Sequence, residues 1–418
     1  MPFRIALSGL NAASTDLEVT GNNIANSATN GFKESRAEFA DVYANAIQDT
    51  SSNAAGQGAR VARVAQQFSQ GTIDFTSNNL DLAISGQGFF VLETPDGSQA
   101  FTRAGAYSVD RDGYVVNHAS DRLQVYEAVI GVGGVTSFNT GVLQDLQLPT
   151  TPSAPSASTT ITAAVNLNSS STVPAAAFNA ANPASYNSST STTVYDSLGN
   201  AHTTTVYYRK TAANTWDQYL FIDGVNVPPA GQAVGTPFVL GFDATGALTT
   251  IDGVATTSAA AEPYAPGNGA NDITVTVDLP GTTQYGSTFA VNNLSQDGYT
   301  SGRLAGVDID TEGVVFARYT NGQSEALGKV AMAKFDNQQG LRQIGDTNWV
   351  ESFSSGVPQL GEAGTSSFGQ IQSGALEASN VDIAEQLVNL ITAQRNFQAN
   401  AEVISTADAI TQTVINIR

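Results

Sequence analysis

Cysteine is absent from the 418-residue sequence, which excludes disulfides, thiolate metal sites and cysteine nucleophiles. Histidine is nearly absent: a Ser-His-Asp triad or a His-rich metal site would have to draw on His118 or His202. Charge is scarce too. Asp, Glu, Lys and Arg together make up 13% of the chain, about half the usual fraction of ~25%. The charge that is present leans one way, with 37 acidic against 17 basic residues and a net charge of −20. Nucleic acid and anionic membranes repel such a polyanion, so neither is an expected partner. No apolar run approaches the roughly 20 residues of a membrane span, so no membrane insertion is expected. The start, Met1-Pro2-Phe3-Arg4-Ile5-Ala6-Leu7-Ser8-Gly9, turns polar at Asn11, Ser14, Thr15 and Asp16 before an apolar region of signal-peptide length forms. If the chain is exported, the expected route is one that leaves this N-terminus uncleaved.

Hydrophobic residues make up 41% of the chain, enough for a substantial core, and the length allows two to four domains. Ser, Thr, Asn and Gln account for about a third of it. Such a polar but uncharged surface is typical of secreted β-rich and assembly proteins, and it leans against an enzyme. No cofactor is expected.

Both ends read as helices. Phe3, Ala6, Leu10, Ala13, Leu17, Thr20 and Ile24 recur at alternating spacings of three and four, a coiled-coil seam over residues 3–27. Gly9 and Gly21 each weaken that helix by about 1 kcal/mol, and Asn30-Gly31 stops it. At the other end, Ser379 or Asn380 is the expected N-cap, with Asp382 completing a capping box to Ser379. Ile383, Leu387, Leu390, Gln394, Phe397, Ala401 and Ile404 continue a seam, which then shifts to Ala407, Ile410, Val414 and Ile417. The polar positions of this second helix are amides more than charges: Gln386, Asn389, Gln394, Asn396, Gln398, Asn400 and Gln412. A solvated helix usually carries many Glu and Lys residues, whereas amides can be buried without the desolvation cost of a charge. Two readings follow. The ends form one intramolecular hairpin, or they complete their packing only against other copies of the chain.

Between the ends, residues 31–70 read as a polar connector with weak strand or helix signals at Phe39, Val42 and Tyr43 and a flexible stretch at 50–58. Residues 71–145 and 300–378 are β-rich, with Asp-Gly-type hairpins at Asp110-Arg111-Asp112-Gly113 and Asp310-Thr311-Glu312-Gly313. Residues 146–299 differ in composition and carry strand pairs around Asp196-Ser197-Leu198-Gly199-Asn200 and Asp243-Ala244-Thr245-Gly246. The expected fold class is mixed: a terminal α-helical coiled-coil layer plus two mainly β domains in a nested, discontinuous order. Residues 1–30 with 379–418 make the helical layer and 31–70 the connector. Residues 71–145 with 300–378 make one β domain, and 146–299 make an inserted all-β domain.

The local motifs for chemistry are weak. Asp308-Ile309-Asp310-Thr311-Glu312-Gly313 starts like a calcium loop, but the twelfth position is Tyr319, not a glutamate, and its flanks are strands. Gly131-Val132-Gly133-Gly134 lacks the third glycine of a dinucleotide loop. His118 and His202 have no Gly-x-Ser-x-Gly partner. No catalytic or metal residues are expected.

The dense motif lies at Gly21-Asn22-Asn23-Ile24-Ala25-Asn26, followed by Asn30-Gly31-Phe32-Lys33. It resembles the N-terminal signature of the bacterial flagellar rod and hook axial proteins. Ser85-Gly86-Gln87-Gly88-Phe89-Phe90, Phe101-Thr102-Arg103-Ala104-Gly105, Gly374-Ala375-Leu376-Glu377 and Ala393-Gln394-Arg395-Asn396-Phe397 are similar to later segments of that family. The likeness covers about residues 1–145 and 300–418. Within the family, rod proteins have little between the two outer layers, whereas the insertion here looks like the outer domain of hook proteins. The resemblance therefore implies a structural subunit that self-assembles into a curved flexible tube acting as a universal joint. It implies the other partners too: rod proteins, the hook cap, hook–filament junction proteins and the flagellar type III export apparatus, at an extracellular location in the flagellum. The residues expected at the assembly interface are Phe3, Leu10, Leu17, Asn22, Asn23, Ile24, Asn26, Ile383, Leu387, Leu390, Phe397, Ala401, Ile404, Ile410 and Val414. Gly31, Gly86 and Gly88 are expected at hinges or turns. A distal rod or hook–filament junction protein of the same family is the alternative. A secreted β-rich adhesin shares the composition but does not account for the terminal seams, and a cell-wall hydrolase lacks a supporting constellation.

Overall fold

The computed structural model describes residues 2–42, 56–130, 136–365 and 367–416. The expected signals at Tyr43 and Gly131–Gly134, most of the 50–58 stretch, and Ile417 lie outside them. Helix α1 spans Pro2–Ala25 and helix α2 spans Ile383–Asn416, roughly 36 and 51 Å at 1.5 Å per residue. The N-cap of α2 differs from expectation. Asp382 itself takes that place: its Oδ1 accepts from the Ala384 and Glu385 amides at 2.8 and 3.2 Å. Asn380 is unavailable because its side chain ties down other segments, accepting from the Glu34 amide at 2.7 Å and donating to Gln67 O at 2.8 Å. Ser379 Oγ only receives the Val381 amide, at 3.3 Å, within the preceding turn.

The connector takes the strand form. Strands β1 (Ser35–Asp41) and β2 (Ala59–Gln66) pair antiparallel, with a register shift between Glu38 and Phe39, and α1 packs on both.

The chain divides into two compact units. The first comprises Met1–Thr150, Gly306–Arg318 and Ser324–Arg418; the second comprises Thr151–Ala305 and Tyr319–Gln323. In the first, strand Ser324–Lys334 is the organiser of a twelve-stranded sheet, pairing with Val314–Tyr319, Arg122–Ile130, Phe89–Glu93 and Gln359–Glu362. Its core is aromatic: Phe89, Phe101, Phe335 and Trp349 are buried, and Phe68 meets Phe89 and Trp349 edge-on at 5.6 Å. The second unit packs a five-stranded sheet on a six-stranded one. One continuous core, including Ile161, Val165, Tyr208, Trp216 and Leu240, fills the space between them.

Four aspartates that open turns each give one carboxylate oxygen to the turn backbone. Asp110 Oδ1 accepts from the amides of Asp112 and Tyr114 at 2.9 and 2.8 Å. Asp310 does the same for Glu312 and Val314, both at 2.9 Å. Asp196 and Asp243 repeat the device in the second unit. Their chemistry is that of Asx turns, and among the described residues no group of His, Cys, Asp or Glu is arranged to hold a metal ion.

His202 is caged rather than catalytic. Its Nδ1 lies 2.6 Å from Asp223 Oδ2 and its Nε2 lies 3.2 Å from Asp196 Oδ2. Burial lowers the imidazole pKa, but the hydrogen bonds and charges of Asp223 and Asp196 outweigh it and hold the net pKa above the ordinary 6.5.

Candidate assembly surface at the chain ends

The two helices lie antiparallel. Gly9 meets Asn400, and Asn23 Nδ2 donates to Gln386 Oε1 at 3.1 Å, so positions advancing along α1 meet positions receding along α2. A Cβ at Gly9 would stand 2.4 Å from Asn400 Oδ1, so the glycine that weakens the helix also gives the pair its close approach.

The buried positions of α1 are Ala6, Ala13, Thr20 and Asn23. Among the described residues of α2, only Gln386 and Ala393 are buried. Within one chain the pair is therefore joined through a narrow face of small and amide side chains. The larger apolar residues stand to the side or outside. Phe3 is 51% exposed, Ile383 50%, Leu387 47%, Ile391 48% and Ile410 60%. Leu10, Leu17 and Ile24 in α1, and Leu390, Phe397, Ala401 and Ile404 in α2, are half-buried. Val414 lies within α2, but its side chain is outside the described set.

The asparagine motif at the end of α1 has two roles. Asn23 is buried and pairs with the backbone of Ser35 like an added strand residue: Oδ1 accepts from its amide at 2.9 Å and Nδ2 donates to its carbonyl at 2.7 Å. Asn22 and Asn26 bond each other at 2.9 Å and line an open polar cleft with Asn30, His118, Gln343 and Asp346. Gly31 turns the chain out of the helix at φ +70, where a Cβ would stand 2.4 Å from the Ala104 amide nitrogen. Gly86 and Gly88 also have positive φ, +118 and +131.

Below the helices lies a group that the sequence motifs contained without revealing. Lys33, Arg103 and Glu377 are buried together. Lys33 Nζ donates to Glu377 Oε1 at 2.5 Å, and Arg103 Nη1 donates to Oε2 at 3.1 Å. Gly71 N–H adds a third bond to Oε1 at 3.0 Å. Burial lowers the Lys33 pKa, with Glu377 pulling the other way. Each residue belongs to a different motif segment, and in a chain so poor in charge their presence there was the available signal.

Comparison with known proteins places this architecture. Over alignments spanning the whole of both chains, it is 40% identical to the flagellar hook protein FlgE of Escherichia coli and 38% identical to that of Salmonella typhimurium. The chain belongs to the flagellar hook protein family. A hook protein of Rhizobium meliloti is 34% identical, with the alignment covering all of this chain and 98% of the relative. Family models divide the chain in order. The flagella basal body rod protein model matches residues 3–33, and the flagellar hook protein FlgE/F/G D1 domain matches 83–166. The flagellar basal body protein FlaE D2 domain matches 166–299, and the flagellar basal body rod FlgEFG C-terminal model matches 372–417. A crystal structure of Helicobacter pylori flagellar hook protein FlgE2 shares the fold with a TM-score of 0.50, at 17% identity, covering 73% of this chain and 100% of that one. The hook family is a structural one, not an enzyme family. The two outermost family matches fall on the helices and on Lys33 and Glu377, whereas Arg103, the third member of the buried ion group, falls in the D1 match.

Proposed function

We propose that the chain is the structural subunit of a bacterial flagellar hook, a homopolymer outside the cell that bends as a universal joint while passing motor torque to the filament. The observation that carries this reading is the narrow face joining α1 and α2. Two helices that, among their described residues, fully bury only small and amide side chains, with Leu10, Leu17, Ile24, Leu390, Phe397 and Ile404 half-buried and Phe3, Ile383, Leu387 and Ile410 left open, present a coiled-coil surface that further copies complete. Helices this weakly supported are marginal in water and gain order from neighbours. In this reading residues 1–30 with 379–418 line the tube, 31–70 connect, 71–145 with 300–378 form the first β layer, and 146–299 form the outer domain. Leu10, Leu17, Leu390, Phe397, Ala401 and Ile404 flank the helix seam at subunit contacts, and Val414 extends it. Gly31, Gly86 and Gly88 serve as fixed turns more than as hinges, given the close packing at Gly31.

Rod proteins, the hook cap, junction proteins and the type III export apparatus are the proposed further partners. Absence of cysteine suits passage of an unfolded chain through an oxidising compartment. Charge-poor outer contacts suit a tube whose subunits lengthen and shorten once per turn, since hydrogen bonds exchange with water more readily than a fixed ion-pair register shifts. The deciding experiment removes residues 2–27 from the full chain. A folded, soluble β protein that no longer forms tubes is expected; tubes from the truncated chain overturn the reading.

A further inference from the structure

We propose that Lys33, Arg103 and Glu377 form a lock that sets the direction of both terminal helices against the β body of the first unit, so that torque in the helical layer is delivered without slip. The inference rests on the hook reading and assigns these three as positioning residues within it.

The group joins every segment that enters or leaves the helices. Gly31 and Lys33 follow α1, and Gly31 N–H donates to Glu377 O at 2.7 Å. Ser69 and Gly71 close the β1/β2 ribbon: Ser69 O accepts from Lys33 Nζ at 2.8 Å, and Gly71 N–H reaches Glu377 Oε1. Glu377 precedes α2. Arg103, from the β body, donates through Nη2 to Gly86 O at 2.8 Å. The side chains of Lys33 and Glu377 are 0% exposed and that of Arg103 is 5% exposed. Polar contacts continue upward from it. Asn380 holds Glu34, Gln386 Nε2 donates to Glu34 Oε1 at 2.9 Å, and Gln386 meets Asn23.

Two cations on one carboxylate, all out of water, are a weak source of net stability, because the cost of desolvation offsets the attraction. What such a group adds is direction. Charge-assisted bonds are short and geometrically narrow, and here they join three side chains from distant parts of the chain and end on the backbones of two further segments, at Ser69 and Gly71 and at Gly86. An apolar cluster of the same volume would hold those segments together yet let them slide.

The test uses the full-length chain. Lys33→Met leaves Arg103 and Glu377 as a matched pair, so folding is retained, but it removes the bond to Ser69 O and the shortest bond to Glu377. Exchange of the Gly31 and Gly71 amide hydrogens should quicken about tenfold or more, since two charge-assisted bonds are lost and one alone corresponds to about tenfold, with Lys33→Arg restoring protection. Hooks built from Lys33→Met should form and lose torsional stiffness. The triple variant Lys33→Met, Arg103→Met, Glu377→Met leaves no buried charge unpaired and should fold with the same loss of stiffness. Unchanged amide exchange in Lys33→Met, or wild-type stiffness in either variant, overturns the lock. A wild-type chain that forms no tubes overturns the hook reading instead, and with it the torque role.

Discussion

Leu387 and Ile391 are successive-turn neighbours on α2, 47% and 48% exposed in the single chain. If this face is covered by another copy in the tube, the double substitution Leu387→Gln, Ile391→Gln weakens assembly without weakening the fold. Glutamine matches leucine in helix propensity and suits the amide-rich surface of this helix, so the monomer should lose no more than ~0.5 kcal/mol. Full burial of a Leu or Ile side chain contributes about 1.5–3 kcal/mol. With half of each already covered, assembly has roughly 0.7–1.5 kcal/mol left to gain per side chain and about 1.5–3 kcal/mol for the two. The critical concentration for polymerisation should therefore rise about tenfold to a hundredfold. Sedimentation of polymer across a concentration series, with tubes verified by electron microscopy, measures it. An unchanged critical concentration, or a matching fall in monomer melting temperature, refutes the reasoning.

Two further outcomes follow from particular contacts. His202 has a folded-state pKa above its ordinary 6.5 because Asp223 and Asp196 flank it. Its contribution to the second unit is thus complete below about pH 6.5 and lost as pH rises through the folded value; melting curves of the wild type should fall over that alkaline-going window, while His202→Gln should be flat there, and parallel curves contradict the assignment. Gly31→Ala should destabilise the first unit by about 1–3 kcal/mol from left-handed backbone strain alone, with the close approach to Ala104 adding to it; chemical denaturation reads this, and a stabilised variant would show that the turn relaxes freely.

Helical period at the two ends was legible in the sequence, and so were the Asp-centred hairpins, because spacing and turn chemistry are local properties. Which ridge of α1 meets α2 was not. The expected stripe joined Ala6, Ala13 and Thr20 with Phe3, Leu10, Leu17 and Ile24, whereas within the chain only the small members are buried, alongside Asn23. Two adjacent ridges share one heptad period, and period alone does not separate the face used inside a chain from the face left for its neighbours. The N-cap of α2 moved from Ser379 or Asn380 to Asp382 for a non-local reason: Asn380 is held by residues more than 300 positions away in sequence. The Lys33, Arg103 and Glu377 group escaped for the same cause. Each was visible inside its own motif, but nothing in spacing says that three distant charges share one buried site.

The central claim is that the terminal helices are unfinished until copies stack, and hydrogen exchange on the full-length chain tests it most directly. In dilute monomer, the amides of α1 and α2 should exchange far faster than those of the Phe89–Glu93 and Ser324–Lys334 strands, and assembly into tubes should protect them strongly. Equal, core-like protection of both helices in the monomer, unchanged by assembly, would contradict the account.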